Sequence, residues 1–255
     1  MSGRWNRRRA LQAFAAGAAC TGLPDVGWSF GDTGQVDVGE LDLGAGTIQR
    51  PNAWRRLLYE MEQTTSVECR EGPVTLSLES DDLFEHPFLV LQGDGAFKMP
   101  KDAALEQLTR FLSYGGFLLC DDATGSSDSE FHASVTELLR RIFPTRPLGP
   151  LPRDHSIYRA YFLIGRPVGR LDRFDHLEAV TVGNLAPVVV CRNDLGGALD
   201  RSSNGQARNA CIPGGELQRR EALKLTMNLV MYGLTANYKR DISHVAELMK
   251  RGRLE

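Results

Sequence analysis

The sequence predicts an α/β domain whose mostly parallel β-sheet is covered by helices on both faces. This prediction depends on the segment 81–122, where an apolar run (88–92), an amphipathic helix (101–114) and a second apolar run (117–120) follow one another. Neither run alternates with polar residues, which is typical of strands buried on both faces. Two such strands joined by a helix form a βαβ unit, so we expect them to lie parallel in one sheet.

Further elements are predicted on both sides of this unit. Before it, strands are expected at 35–41 and 67–78, with a helix beginning near Pro51, because proline suits the first helical turn. After it, a helix is expected from Asp128 or Ser129 to Phe143, since either residue is a suitable N-cap.

The last third of the chain predicts a β-hairpin and a long helix. Two apolar runs, 177–182 and 186–191, are separated by Gly183 and Asn184, which are residues that favour a tight turn. The final helix is expected from Glu216 to about Tyr238. Its inward-facing residues are expected to be Leu217, Leu223, Met227, Val230, Met231 and Leu234.

Composition excludes some classes of partner. The 255 residues are 42% hydrophobic and 24% charged, with a net charge of −2. These are ordinary globular values, and the charge gives no reason to expect a nucleic acid or an anionic membrane as partner. No apolar run is long enough for an integral membrane span in the mature chain.

Residues 1–30 are predicted to form an export leader. Three arginines at 7–9 precede a short, Ala-rich apolar stretch, which favours a twin-arginine signal and a periplasmic protein. Gly17 stands where a lipobox has leucine, which argues against lipid attachment at Cys20. The alternative is a basic N-terminal tail.

The cysteines predict neither a zinc site nor a cofactor. None of them has CxxC or CxxH spacing, so no metal site is expected. Cys120 and Cys191 lie in apolar runs and are predicted to be core residues. Cys69 and Cys211 form the one pair predicted to be exposed enough for a disulfide in an exported protein.

Carboxylates follow the two central strands. Asp94 comes after the first, and Asp121 and Asp122 end the second, so all three are expected at the C-terminal edge of the sheet. They either bind a ligand or cation there, or cap the N–H groups of their own loops. Asn193 follows a later strand, and it either joins the same pocket or forms a turn.

The segment 151–159 contains the densest group of polar residues. Asp154 precedes His155, and a histidine held by a carboxylate is a typical general base or metal ligand. Such a pair also commonly fixes a loop beneath a strand. The two are therefore catalytic candidates with a structural alternative.

Five blocks of the sequence together resemble one known family. They are, in order, LFEHPFLVLQGDGAF, YGGFLLCDDATG, LPRDHSIYRAYFLIGRPVGR, VCRNDLGG and NLVMYGLTANYK. The family is DUF4159, a bacterial domain of unknown function that is often preceded by an export leader. The resemblance implies a single flavodoxin-like, glutamine amidotransferase-like three-layer domain over 35–240, with a late β-hairpin, followed by a C-terminal tail at 241–255.

The resemblance also allows the amidotransferase triad to be checked. That triad needs a cysteine in a Gly-x-Cys-x-Gly turn and a His-x-Glu pair. Cys120 has no flanking glycines and His155 is followed by Ser156 and Ile157, so this chemistry is predicted to be absent.

Two functional hypotheses remain. The first is an exported, non-catalytic binding or assembly domain that takes a small polar ligand, a cation or a protein partner at the edge formed by Asp94, Asp121 and Asp122. The second is a hydrolase of sugars or peptides that uses His155, oriented by Asp154, with Asp121 or Asp122.

Overall fold

The computed structural model describes the backbone of residues 35–250 and the side chains of residues 35–235 except Asp81. The predicted export leader and Cys20 lie outside the described residues. Among the helices that are described, none is both long enough and apolar enough to cross a membrane.

One sheet of seven strands forms the centre of the domain. Its strands are β1 Gly39–Leu41, β2 Val74–Leu76, β3 Phe88–Gly93, β4 Phe117–Asp122, β5 Gly149–Pro150, β6 Glu178–Val182 and β7 Leu185–Cys191. In space their order is β2-β1-β3-β4-β7-β6-β5. The first five in this order are parallel, whereas β6 and β5 are antiparallel to their neighbours. The predicted α/β domain with a mostly parallel sheet is confirmed.

The central βαβ unit forms as predicted. Strands β3 and β4 are parallel neighbours, paired from Phe88 with Phe117 to Gly93 with Asp122. Every residue of both strands is buried, as the absence of alternation indicated. The hairpin is also present, but β7 pairs with β4 as well as with β6.

Helices cover both faces of the sheet. They are α1 Pro51–Thr64, α2 Asp102–Ser113, α3 Glu130–Ile142, α4 Leu195–Leu199 and α5 Gly215–Lys250. One apolar core joins α1 and α5 to one face, and a second core joins α2 and α3 to the other. Ser129 is the N-cap of α3, and its hydroxyl accepts the N–H of His132 at 3.1 Å.

The end of the chain differs from the prediction in two respects. Helix α5 continues to Lys250, beyond the expected end near Tyr238. Leu217, predicted to face inward, is 73% exposed. The inward positions of that first turn belong to Gln218 and Arg219, which are buried because they bind carbonyl groups of neighbouring loops.

Three segments between the main elements also take part in the fold. The proline-rich segment 144–152 contains strand β5, which lies at the edge of the sheet, where proline removes no ladder bond. Asn193, for which the sequence left a turn or a pocket open, is followed by helix α4. Ala198 and Leu199, at the end of α4, are buried beneath α1 and α5.

The described cysteines are free thiols, and all are buried. Cys120 and Cys191 are wholly inaccessible, as predicted for core residues. Cys69 and Cys211 were predicted to be exposed, and this is wrong. Both belong to the apolar core on the face of α1 and α5, and they form no disulfide.

Candidate functional site

Asp121 lies at the end of β4, completely buried. Its carboxylate accepts the N–H of Leu195 at 2.8 Å, the N–H of Gly196 at 2.7 Å and a hydrogen bond from the side chain of Gln92. The first turn of α4 is therefore fixed to the end of β4 by this one carboxylate. Asp121 presents no oxygen to solvent.

The surroundings of Asp121 disfavour its charged form. Burial, and then the nearby carboxylate of Asp194, raise the pKa of Asp121 to about 7. The N–H groups of Gly196 and Leu195 and the guanidinium of Arg50 act in the opposite direction, but they do not outweigh burial. Asp121 thus changes its charge near neutral pH.

Asp194 joins two arginines from distant parts of the chain. Its carboxylate pairs with Nη1 of Arg50 at 2.6 Å and with Nε of Arg170, and it also accepts the N–H of Gly197 at 2.9 Å. Asp194 is fully buried and has φ 60°, a left-handed conformation that aspartate tolerates better than most residues. We call Asp121, Asp194, Arg50 and Arg170 the closed-edge cluster.

The other two carboxylates are separate from this cluster. Asp122 caps its own loop, because its Oδ1 accepts the N–H of Thr124 at 2.9 Å and the hydroxyl of Thr124 at 2.7 Å. Asp94 is exposed. Within the described part of the chain, no three His, Cys, Asp or Glu side chains are grouped so that they could hold a metal ion.

Asn193 clamps the preceding loop rather than facing an open pocket. Its side-chain oxygen accepts the N–H groups of Arg173 and Phe174, each at 3.0 Å, and its amide donates to the carbonyls of Pro167 and Phe174. The loop approaches so closely that a Cβ on Gly169 would lie 2.1 Å from the carbonyl oxygen of Asn193. The residue is buried, and both atoms of its side-chain amide are engaged in holding this loop.

His155 lies at the opposite end of the strands from Asp121, near their N-terminal ends. Its ring packs edge-to-face on Tyr232, with 5.3 Å between ring centroids, and Tyr232 in turn contacts Phe117, the first residue of β4. Along β4, Asp121 is roughly 13 Å beyond Phe117, at about 3.3 Å per residue. The structure therefore does not bring His155 together with Asp121 or Asp122, because the His155 ring packs on Tyr232 near the N-terminal ends of the strands.

The imidazole of His155 is held in place from several sides. Nδ1 accepts the N–H of Ile157 at 3.3 Å, which caps the short 3-10 turn Ser156–Arg159. Burial lowers the pKa of His155, and the carbonyl of Asn184 and the carboxylate of exposed Asp154 only partly offset this effect. Burial therefore favours the neutral form of the imidazole, which acts as a loop cap.

Among the described residues, two cavities lie near His155 or Tyr232. The larger, about 620 Å³, has a mixed polar and apolar lining that includes Asp154, His155, Arg159 and Asn184. The smaller, about 390 Å³, is lined mostly by apolar groups, among them Phe117, Phe143, Leu185 and Tyr232. We call the larger one the edge cavity.

Comparison with known families identifies the domain. A family model described as a domain of unknown function, DUF4159, matches residues 37–234, which is most of the chain. The chain belongs to the DUF4159 family. This confirms the resemblance expected from the sequence blocks. No curated protein matches this DUF4159 chain.

Cys120 cannot serve this DUF4159 domain as a nucleophile. The thiol is inaccessible, and burial, together with the charge of Asp121, raises its pKa. A nucleophilic cysteine needs access to substrate and a lowered pKa. Cys120 is a small core residue, in agreement with the absence of flanking glycines.

The sequence did not reveal the arginines that bind Asp194 in this DUF4159 domain. Arg50 immediately precedes α1, and Arg170 follows the tight approach at Gly169. The one usable signal was the Asn-Asp-Leu-Gly-Gly motif at 193–197, whose residues tolerate tight turns but indicate no partner. On α5, Asn228 satisfies buried backbone groups, since its amide donates to the carbonyl of Ile157 and its oxygen accepts the N–H of Phe162.

Proposed function

We propose that this DUF4159 domain is a non-catalytic binding or assembly domain of an exported protein, built on a flavodoxin-like, amidotransferase-like scaffold. The observation that carries the proposal is the burial of Asp121, whose carboxylate is used to hold α4. The arginine-rich start of the chain at 7–9 supports export.

The sheet supports the flavodoxin-like part of the proposal. Its parallel strands follow the order β2-β1-β3-β4-β7, which corresponds to 2-1-3-4-5 in a flavodoxin-like sheet when β7 is counted as the fifth parallel strand. In such sheets the connections leave in opposite directions from two neighbouring strands, here β1 and β3, and ligands bind beyond their C-terminal ends.

In this protein, however, the loop after β1 covers that position. The carbonyl of Gly46 accepts the N–H groups of Asp94 and Gly95, and Thr47 forms an antiparallel bridge with Gly93. A ligand would have to displace backbone hydrogen bonds to reach the place where this class of sheet usually binds. This arrangement favours recognition elsewhere, with the edge cavity as the larger open candidate.

A hydrolase that uses His155 and Asp154 is the second candidate. It is favoured by one observation: a histidine whose pKa is lowered by burial borders an open cavity of about 620 Å³. The carboxylates expected to assist, Asp121 and Asp122, are engaged at the other edge. His155 itself caps Ile157.

Turnover measurements separate the two candidates. The purified protein would be assayed against chromogenic glycosides and peptide anilides, beside a His155→Gln variant whose melting temperature is also measured. We expect neither protein to exceed the buffer blank. Turnover by the wild type that disappears in a folded His155→Gln variant would overturn the non-catalytic proposal and establish the hydrolase.

The binding part of the proposal is tested with small polar compounds. Glucose, N-acetylglucosamine, citrate and inorganic phosphate would each be titrated while the melting temperature is followed, because a ligand that binds the native state raises it. We expect a saturable rise with at least one probe. Absence of any rise would restrict the proposal to assembly with a macromolecule.

A further inference from the structure

A pocket of about 380 Å³ lies between α1, α5 and the end of α4 with the chain just after it. We call it the arginine pocket. Its lining consists of four arginines, two glutamates and two leucines: Arg56, Arg201, Arg219, Arg220, Glu60, Glu216, Leu199 and Leu223. Its formal charge is therefore positive, although the whole chain carries −2.

Two of the arginines are neutralised within the pocket. Arg56 pairs with Glu60 one helical turn away, and Nε of Arg219 pairs with Glu216 at 2.9 Å. Neither glutamate pairs with Arg201. Arg201 and Arg220 form no ion pair with a carboxylate of the described residues, so two positive charges remain uncompensated there.

Arg201 has one buried donor atom without a hydrogen-bond acceptor among the described residues. Its Nη1 donates to the carbonyl of Gly205 at 2.9 Å, but its buried Nε donates to no described group. Burial, and then the positive charges of Arg56 and Arg219, lower the pKa of Arg201. Buried donors without an acceptor are rare, and one in a positive field indicates a place for an anion.

Arg219 forms a fixed side of the arginine pocket. The residue is only 5% exposed, and its guanidinium donates to the carbonyls of Ala198 and Asn209 while pairing with Glu216. It thereby fixes the end of α4 against the first turns of α5. The side chain of Arg219 is therefore already ordered before an anion binds, which reduces the entropy lost on binding.

We propose that the arginine pocket binds a small organic phosphate, with the phosphate group between Arg201 and Arg220 and the carbon portion against Leu199 and Leu223. This inference rests on the proposed binding function and adds to it a second site, distinct from the edge cavity, with its own ligand class. The planar fork of a guanidinium matches the oxygens of a phosphate, and a phosphate monoester carries close to the two charges that are uncompensated here. A volume of about 380 Å³ also leaves room for an organic body beside the phosphate.

The test is calorimetric titration of the intact protein with phenyl phosphate. Inorganic phosphate, benzoate and phenyl β-glucoside serve as comparison probes for the head group alone, a carboxylate and an uncharged body. We expect phenyl phosphate to bind saturably, more tightly than each of the other three, and to weaken as salt is added because the contact is between charges.

Four variants locate the binding. Arg220→Gln changes an exposed side chain and should fold normally, and Arg201→Gln removes the buried donor. Each should weaken phenyl phosphate binding at least about tenfold, the loss expected for a charged hydrogen bond. Glu60→Gln should strengthen binding, since it frees Arg56. Arg140→Gln, on α3 at the other face, is the matched control and should leave binding unchanged.

Several results would overturn the inference. They are no saturable binding of phenyl phosphate, equal binding by the Arg201→Gln and Arg220→Gln proteins, tighter binding of benzoate, or equal binding of inorganic phosphate. None of these results touches the non-catalytic proposal, which fails only if the protein turns over a substrate. The two failures are therefore distinguishable.

Discussion

The two edges of the sheet use similar polar residues in different ways. At the C-terminal ends of the strands, Asp121 and Asp194 are completely buried and bound by backbone N–H groups and arginines. At the N-terminal ends, His155 and Asp154 border a cavity of about 620 Å³. In most open α/β sheets the first of these edges receives the ligand. Carboxylates at strand ends therefore indicate a site only when the chain leaves them uncovered.

The closed edge should also lose more stability on mutation than the open edge. Asp194 serves Arg50, Arg170 and the first turn of α4 together, so its removal leaves two partly buried charges without their partner. At the open edge, His155 caps only its own turn and Asp154 is exposed. The largest loss of stability is therefore expected at Asp194.

Asp194→Ala should lower the free energy of unfolding by about 3 to 5 kcal/mol, as expected when one member of a buried ion pair is removed. Urea unfolding followed by circular dichroism measures this loss. Asp94→Ala, at an exposed carboxylate near the same edge, should change it by less than about 0.5 kcal/mol. A loss below about 1 kcal/mol for Asp194→Ala would mean that the closed-edge cluster is not a stabilising feature.

Asp121 should make stability dependent on pH. Its pKa of about 7 in the folded protein is above the value of an unfolded aspartate, so the folded state binds more protons between about pH 4 and pH 7. Its contribution is therefore fully favourable below about pH 4 and is lost as the pH rises to about 7. The slope is at most about 1.4 kcal/mol per pH unit.

The comparison that isolates this effect is between the wild type and Asp121→Asn in urea titrations at several pH values. The difference in unfolding free energy should change in the variant's favour as the pH rises through this range. A difference that is constant with pH would show that Asp121 is not protonated in the folded protein.

Gly169→Ala tests how tightly the closed edge is packed. The new Cβ would lie 2.1 Å from the carbonyl oxygen of Asn193, and overpacking of this kind costs about 1 to 3 kcal/mol. Gly165→Ala, in the same loop, is the control because nothing lies within 4 Å of its Cβ. Equal melting temperatures for the two variants would contradict the close approach.

The smallest effects are expected at the open edge. His155→Gln should cost about 1 kcal/mol, since it removes the cap on Ile157. Asp154→Asn, at an exposed residue, should change stability by less than about 0.5 kcal/mol. Thermal unfolding of both variants provides the check. Losses comparable to that of Asp194→Ala would remove the distinction between the two edges.

Local signals accounted for the parts of the fold that were predicted correctly. The apolar runs at 88–92 and 117–120 specified buried strands, Ser129 specified a helix start, and Gly183 with Asn184 specified the hairpin turn. Each of these depends on residues that are close together in the chain. The βαβ unit and the hairpin could therefore be predicted from the sequence alone.

The candidate site depended on long-range contacts, and these could not be predicted. Arg50 meets Asp194 only because α1 and α4 pack together, and the left-handed conformation of Asp194 appears only when α4 follows it. Asp94, Asp121 and Asp122 have separate surroundings at the strand ends, because Asp121 holds α4, Asp122 caps its own loop and Asp94 is exposed. The positions of the carboxylates in the sequence correctly predicted the end of the strands at which they lie, but not the groups that bind them.

Strand β7 has a consequence for the order in which the molecule assembles. It pairs with β6 through residues close in sequence, such as Val180 with Val188, but with β4 through distant ones, such as Leu118 with Val188. Closing the longer loop costs more entropy, so we expect the hairpin to form first and then to dock onto the βαβ unit as a whole. Pulse-labelling hydrogen exchange would then detect protection in the hairpin before protection between β4 and β7.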